Sequence, residues 1–182
     1  MKKEAFKFVI REFQDRELPD VRPRKLEIPD IEKVISITGI RRSGKTCYFF
    51  QLIKDLLEKV SKDRVIYINL ADDRLFPLKL DDLQDILEAY FELYPQNRDQ
   101  TLYLFLDEIQ EVAHWELFVR RIYDQHNVRI FVTGSSSKMM HTEIHTALRG
   151  RTLNYEMFPL SFSEVLDFKN LQIPQHVHYS EH

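Results

Sequence analysis

The segment Gly39-Ile40-Arg41-Arg42-Ser43-Gly44-Lys45-Thr46 decides how this chain is predicted to fold. It matches G-x-x-x-x-G-K-[ST], the Walker A pattern, in which backbone N–H groups of a glycine-rich loop surround a phosphate. An apolar run, Val34 to Ile37, precedes the segment, and an amphipathic stretch, Tyr48 to Val60, follows it. This order predicts a strand, a phosphate-binding loop and a helix whose positive end faces the phosphate.

The loop also predicts which groups hold a nucleotide. We expect contacts, largely through backbone N–H groups, from Gly39, Arg42, Ser43, Gly44, Lys45, Thr46 and Cys47. Lys45 is expected to reach the β- and γ-phosphates and to assist catalysis, and the Thr46 hydroxyl to bind Mg²⁺. The Arg42 side chain is expected to face solvent. The alternative is a glycine turn that fits the pattern by chance, which the flanking strand and helix disfavour. The chain is therefore predicted to bind a nucleoside triphosphate.

A second pattern ends the apolar run Leu102 to Leu106 with two acids, Asp107 and Glu108. This is typical of a Walker B strand, in which the aspartate holds Mg²⁺ through its water shell. Glu108 is then expected to orient and deprotonate the attacking water. The alternative is that the acids only cap the next helix. The acid pair favours a hydrolase, because a small-molecule kinase usually lacks this glutamate. A GTPase is disfavoured because the chain has no Asn-Lys-x-Asp.

Polar residues also end the next apolar strand, in Phe131-Val132-Thr133-Gly134-Ser135-Ser136-Ser137. In a parallel sheet this strand end lies beside the Walker B strand end. The hydroxyl of Thr133 or Ser135 could therefore contact the γ-phosphate or the attacking water, and we predict that sensor role for these two residues. The alternative is that Ser136 or Ser137 caps the next helix. Both interpretations can hold, for different residues.

Two arginines, Arg149 and Arg151, stand just before the last predicted strand. An arginine placed at the γ-phosphate of a neighbouring subunit stabilises the charge of the transition state. The alternative is a solvated basic turn, and spacing alone does not separate the two arginines. Both are candidates for an arginine finger, which would require a homo-oligomer.

Composition narrows the class of protein. The chain has 182 residues, 43% hydrophobic and 30% charged, with a net charge of -3, which gives no general attraction to nucleic acid or anionic membranes. The single cysteine, Cys47, excludes an internal disulfide. No apolar stretch approaches the about 18 residues of a membrane helix, and the N-terminus lacks the features of a signal peptide. A cytoplasmic location without membrane contact is expected.

Apolar segments that alternate with helical ones predict an α/β fold. The predicted helices are 1–17, the segment after the loop to about Val60, Asp81–Leu93, Ala113–Gln125, Ser137–Leu148 and Ser161–Phe168; the predicted strands are Lys33–Thr38, Arg64–Leu70, Thr101–Leu106, Arg129–Thr133 and Thr152–Phe158. Five such strands favour a parallel sheet with helices on both faces, a three-layer sandwich. Three prolines predict an extended crossing segment over residues 18–30.

The order of GIRRSGKT, LYLFLDEIQ, FVTGSSS and LRGRTLNYEMFPLSFSEVL resembles that in the prokaryotic AAA+-type P-loop ATPases. The resemblance covers about residues 30 to 168 and implies a P-loop NTPase sheet in the strand order 5-1-4-3-2. It implies ATP and Mg²⁺ as ligands, and it makes the arginine-finger role more plausible. The expected organisation is an N-terminal helix and crossing segment over 1–32, an ATPase core over 33–168 and a tail over 169–182. The helical lid and C-terminal domain of the family are not expected within this sequence.

Three functions remain open at this point. The first is Mg²⁺-dependent ATP hydrolysis by an AAA+-type domain. The second is a switch that binds ATP with negligible turnover, and the third is a P-loop kinase for a small metabolite. The sequence identifies no nucleic acid or protein client.

Overall fold

The computed structural model describes residues 2–29, 31–135, 148 and 150–171. Its helices are α1 (Lys2–Asp15), α2 (Lys45–Leu57), α3 (Gln84–Leu93), α4 (Trp115–Gln125) and α5 (Phe162–Lys169). Its strands are β1 (Val34–Gly39), β2 (Val65–Asn69), β3 (Leu102–Asp107), β4 (Val128–Ser135) and β5 (Thr152–Glu156). Short 3-10 turns connect several of them.

The five strands form one parallel sheet in the order β2-β3-β4-β1-β5. This is the order 5-1-4-3-2 read from the other edge, so the predicted P-loop NTPase topology is confirmed. The register places Gly39 opposite Ser135 and Asn69 opposite Asp107. The carboxyl ends of all the strands lie along one edge of the sheet, and the Walker A loop leaves that edge after β1.

Buried side chains form one hydrophobic layer on each face of the sheet. Helices α1, α3 and α4 pack on one face, against strand residues that include Ile68 and Leu104. Helix α2 packs on the other face, against Tyr67 and Phe105. Neighbours such as Leu104 and Phe105 therefore belong to opposite layers, because successive side chains of a strand point to opposite faces. The result is the predicted three-layer sandwich.

Helix α1 lies beside the edge strand β2. Its apolar face is buried and comprises Phe6, Val9, Ile10 and Phe13. The Gln14 amide donates to the Val65 carbonyl at 2.7 Å and so ties the end of the helix to the edge strand. The described residues between α1 and β1 form no helix or strand, in keeping with the predicted crossing segment.

Several element boundaries differ from the prediction. Helix α4 begins at Trp115 rather than Ala113, because His114 has a left-handed backbone with φ 60°. Leu80–Leu83 forms a 3-10 turn before α3, and β5 ends at Glu156. Helix α5 begins with a capping box, in which the Ser161 side chain accepts from the Glu164 N–H and the Glu164 side chain accepts from the Ser161 N–H.

Two other predictions stand outside these observations. Of the predicted helix Ser137–Leu148, all residues before Leu148 lie outside the described residues, as do the capping residues Ser136 and Ser137, and Leu148 itself is a buried turn residue. The division at residues 32 and 168 stays a prediction. Within the described part of the chain, none of the helices is both long and apolar enough to span a bilayer.

Candidate functional site

The Walker A loop follows β1 directly. At two of its positions, Gly39 and Gly44, the backbone favours a residue without a side chain. A Cβ atom at Gly39 would stand 2.3 Å from the carbonyl oxygen of Met157, so the loop begins where the residue that follows β5 passes closely. Gly44 has φ 95° and precedes the first turn of α2. Because Gly44 has no side chain to cap the helix, the amides of that turn stay available to a ligand.

The Lys45 ammonium group lies inside this loop. The residue is only 5% exposed, and its Nζ donates to the carbonyls of Gly39 and Ile40, each at 3.0 Å. An ammonium group carries three N–H donors, so one remains for a ligand. Lys45, the predicted phosphate-binding lysine, thus already lies inside the loop. Arg42 and Cys47 are exposed, and Arg42 has φ 66°.

The Walker A helix and the Walker B strand meet at the Asp107 carboxylate, which is fully buried. Its Oδ2 accepts from the Thr46 hydroxyl at 2.7 Å and from the Tyr67 hydroxyl at 3.0 Å. Its Oδ1 accepts from the Thr133 hydroxyl. Charge-assisted hydrogen bonds of this kind are stronger than neutral ones, and a buried carboxylate needs them. Side chains from α2, β2 and β4 therefore fix the end of β3.

The sequence prediction missed the tyrosine in this cluster. Burial, and to a lesser degree the Asp107 carboxylate, raises the pKa of Tyr67, so that its phenol stays protonated and donates. A tyrosine inside the apolar strand RVIYINL was one available signal, because a buried hydroxyl must find a partner. Only the strand order shows that the partner is the Walker B aspartate.

Glu108, the second acid, has a left-handed backbone with φ 55° that turns the chain sharply after β3. Its N–H donates to the Thr133 Oγ1 at 3.1 Å, and its carboxylate accepts from the Gln110 amide at 2.6 Å. The Gln110 Oε1 in turn accepts from the Ser135 N–H at 3.3 Å. Gln110, which the sequence prediction also missed, thus links the two strand ends.

The one arginine candidate that the structure describes, Arg151, lies elsewhere. Arg151 precedes β5, and its carbonyl pairs with the N–H of Val34 at the amino edge of the sheet. Five residue steps at about 3.3 Å each separate Val34 from Gly39, so Arg151 stands roughly 17 Å from the loop of its own chain. Its guanidinium contacts Asp124 in two hydrogen bonds, at 2.9 and 3.1 Å. Arg149 lies outside the described residues.

The oxygen atoms at the junction are suited to Mg²⁺. Thr46 Oγ1 and Asp107 Oδ2 lie 2.7 Å apart. Hydroxyl and carboxylate oxygens are ligands of the kind that Mg²⁺ prefers, and the carboxylate could also act through a metal-bound water. In the part of the chain that the structure describes, the buried Ser43 Oγ has no hydrogen-bond partner and could accept one from a ligand or water. Thr46 and Asp107 are the residues that could hold the metal.

A parallel α/β sheet with a Walker A loop at its carboxyl edge and a buried acid at the end of another strand on the same edge defines the class of P-loop NTPases. The family model described as an AAA domain matches residues 31–166, so the chain belongs to that family. The resemblance to AAA+-type P-loop ATPases is confirmed, and the protein contains a nucleotide-binding domain of the ATPase type.

The chain is also similar to proteins with no assigned function. It is 45% identical over 151 residues to the uncharacterized protein MJ1544 of Methanocaldococcus jannaschii, and the match covers 82% of this chain and 32% of that protein. It is 30% identical over 148 residues to an uncharacterized protein of Haemophilus influenzae, covering 80% of this chain and 36% of that one. The chain thus spans about a third of the length of these relatives.

The structure of C. elegans PCH-2 aligns with a TM-score of 0.47 and 16% identity, over 97% of this chain and 49% of that one.

Proposed function

We propose that this domain binds ATP with Mg²⁺ and hydrolyses it. The observation that carries the proposal is the 2.7 Å hydrogen bond between the Thr46 hydroxyl of the Walker A helix and the buried Asp107 carboxylate of the Walker B strand. Strand β4 separates β1 from β3, so the two motifs meet only because the fold brings their ends together. A glycine turn matching the pattern by chance would not account for this meeting.

The Walker A loop and its lysine, Lys45, bind the phosphates. The backbone N–H groups of the loop and of the first turn of α2 surround the phosphates, and the helix end adds its partial positive charge. The Lys45 ammonium keeps its two carbonyl partners and directs its remaining N–H to the β- and γ-phosphates. Thr46 and Asp107 hold Mg²⁺, which when bound neutralises phosphate charge.

Water activation falls to Glu108. The hydrogen bond from Gln110 orients its carboxylate, and the bond from its own N–H to Thr133 fixes the backbone beneath it. The carboxylate accepts a proton from a water that attacks the γ-phosphate. Thr133 uses its hydroxyl between Asp107 and Glu108, so we assign it a positioning role there in addition to the predicted sensor role. Ser135, the register partner of Gly39, remains a sensor candidate.

One part of the proposal, the arginine finger, requires a neighbouring subunit and concerns Arg149 and Arg151. Because Arg151 stands at the amino edge of the sheet, it could serve only the nucleotide of a second copy in a homo-oligomer. Arg149 is proposed for the same role. A cytoplasmic location, where ATP and Mg²⁺ are supplied, fits this function.

The test is Mg²⁺-dependent phosphate release from ATP, measured for the wild type and for Glu108→Gln, with bound nucleotide assayed in parallel. We expect the variant to lose turnover by about a hundredfold or more, because the general base is removed, and to keep ATP bound. Glu88→Gln, an exposed glutamate on α3 that pairs with Lys3, is the matched control and should behave as the wild type.

Each other outcome identifies an alternative. ATP bound without turnover in the wild type would favour the switch. Consumption of ATP only after a small acceptor molecule is added would favour the kinase. Absence of ATP binding would overturn the proposal.

A further inference from the structure

One arginine outside the Walker motifs contacts the phosphate-binding loop. Arg24 lies in the segment between α1 and β1, and its guanidinium donates to three acceptors in different parts of the chain. Nη1 donates to the Ser43 carbonyl at 2.8 Å, Nη2 to the Phe158 carbonyl at 2.9 Å, and Nε to Glu164 Oε1 at 2.7 Å. The planar guanidinium fixes the directions of these donors.

The contact with Ser43 controls the direction of a loop amide. A trans peptide is planar, so the Gly44 N–H points away from the Ser43 carbonyl of the same peptide unit. When Arg24 holds that carbonyl, the Gly44 N–H is held in the opposite direction. Gly44, at φ 95°, has the conformational freedom to turn this peptide unit, so an external contact is needed to fix it.

The arginine is itself held from two sides. The Gln51 side chain on α2 accepts from the Arg24 N–H at 2.7 Å and donates to the Arg24 carbonyl at 3.3 Å. Glu164 holds the guanidinium with one carboxylate oxygen and accepts from the Ser161 N–H, at 2.8 Å, with the other. The Arg24 and Glu164 side chains are only 11% and 10% exposed. Their charges are therefore poorly screened by water.

The pKa of Glu164 agrees with a persistent pair. The hydrogen bond from Arg24, followed by the bond from the Ser161 backbone, lowers the pKa of this carboxyl to about 2. Glu164 is therefore ionised at neutral pH. The same residue closes the capping box at the start of α5, so the start of α5 and the Walker A loop share one guanidinium.

We propose that Arg24 is a positioning residue for the phosphate-binding loop, held by Glu164, and that this ion pair sets the nucleotide affinity of the site. The inference rests on the proposed function, because it takes the loop's ligand to be the nucleotide phosphate. It adds a dependence on an ion pair that lies outside both Walker motifs.

The main experiment measures ATP and ADP binding by calorimetry for Arg24→Gln, Glu164→Gln and the double variant. Loss of a charge-assisted hydrogen bond that holds the loop should weaken binding by about tenfold in Arg24→Gln. Glu164→Gln should weaken it less, because Arg24 keeps its two carbonyl acceptors. The double variant should resemble Arg24→Gln alone, since the two residues act as one unit. Arg24→Lys, which keeps the charge without the planar fork, should lie between.

Lys25→Gln is the matched control. Lys25 is the next residue and pairs with Asp167 on the same helix at 2.7 Å, but both side chains are more than half exposed. Lys25 makes no hydrogen bond to the loop among the bonds of the described residues. We expect its substitution to leave nucleotide affinity within twofold of the wild type.

Hydrogen exchange without nucleotide separates positioning from general stability. The peptide covering residues 40–47 should exchange faster in Arg24→Gln, whereas the peptide covering α3 should not change. A variant that only lowers the melting temperature and binds ATP as tightly as the wild type would overturn the inference. If Arg24→Gln does not fold, Arg24→Lys and Glu164→Gln supply the same comparison.

The two proposals fail in different ways. If the wild type binds no ATP, the proposed function fails, while the exchange of residues 40–47 still reports whether Arg24 orders the loop. If the wild type binds ATP and Arg24→Gln binds it equally well, only the Arg24 inference fails.

Discussion

Two carboxylates with good hydrogen-bond geometry lie in opposite surroundings: Asp107 ends β3 at the carboxyl edge of the sheet, and Asp124, on α4, pairs with Arg151 just before β5. At the carboxyl edge, Asp107 is fully buried and accepts from Thr46, Tyr67 and Thr133. At the amino edge, Asp124 accepts two hydrogen bonds from Arg151, but these side chains are 45% and 31% exposed. Water can replace a lost partner only at the exposed edge. We therefore expect the protein to depend more on Asp107 than on Asp124, because of burial more than hydrogen-bond geometry.

The largest expected effect comes from Asp107→Asn. The amide has one acceptor oxygen where the carboxylate had two, so hydroxyl donors would face an NH₂ group and the Mg²⁺ ligand would lose its charge. We expect phosphate release to fall by about a hundredfold and the free energy of unfolding to change by about 1–3 kcal/mol. Asp124→Asn, the same substitution at the exposed edge, should alter the free energy of unfolding by less than about 1 kcal/mol. Equal losses of activity in the two variants would refute the comparison.

A smaller effect is expected from Tyr67→Phe. The change removes one donor to Asp107 Oδ2 and leaves the Thr46 and Thr133 bonds. Because partners of metal ligands tune metal affinity, the Mg²⁺ concentration that gives half-maximal turnover should rise by about tenfold.

Tyr90→Phe is the matched control for Tyr67→Phe. Tyr90 is buried as well, and its hydroxyl donates to the Asp63 carbonyl at 2.6 Å, away from the site. The Tyr90→Phe variant should lose about 1 kcal/mol of its free energy of unfolding. The Mg²⁺ concentration that gives half-maximal turnover should stay unchanged. A Mg²⁺ requirement that rises equally in both variants would show that Tyr67 acts only through stability.

The carboxyl edge also shows what the sequence could predict. The Walker A loop, the acid pair and the alternation of strands and helices are local patterns, and each follows from neighbours in the chain. They were sufficient for the fold, and the resemblance supplied the strand order. The proximity of Thr46 and Asp107 followed from these motifs together.

Tyr67, Gln110 and Arg24 could not be found in this way. Tyr67 looks like an ordinary residue of an apolar strand until β2 is placed beside β3. Arg24 makes its side-chain contacts 19, 134 and 140 residues away in the chain. Such contacts depend on tertiary packing, and no local periodicity encodes them. Helix α4 begins later than predicted for a local reason. His114 has a left-handed backbone, and the local sequence did not indicate this.

A third comparison sets the ion pair of Glu164 against that of Glu92, since the pKa of each is lowered to about 2 from an ordinary value of 4.5. Hydrogen bonds from Lys3 and Lys7 lower that of Glu92, whose side chain is 45% exposed. A carboxyl with a lowered folded-state pKa stabilises the fold above its unfolded pKa. That contribution is lost as the pH falls from about 4.5 towards about 2.

The measurement is the denaturant midpoint of the wild type, Glu164→Gln and Glu92→Gln between pH 6 and pH 3, at low and high salt. The Glu164→Gln difference from the wild type should shrink as the pH falls and should persist at about 1 M salt, because the pair is buried. The Glu92→Gln difference should shrink in the same direction but largely disappear in salt, because exposed charges are screened. Equal salt sensitivity would show that burial does not distinguish the pairs.

The smallest effect is expected from Arg151→Gln in the isolated domain. The variant removes an exposed ion pair, so the free energy of unfolding should change by less than about 1 kcal/mol. ATP affinity should stay within twofold of the wild type, because Arg151 stands roughly 17 Å from the loop of its own chain. Loss of ATP binding by the monomer would show that the residue acts within its own chain. A turnover that rises with protein concentration in the wild type but not in Arg151→Gln would instead support the finger role. In that case Arg151, at the exposed amino edge of one copy, would complete the nucleotide site at the carboxyl edge of the next copy.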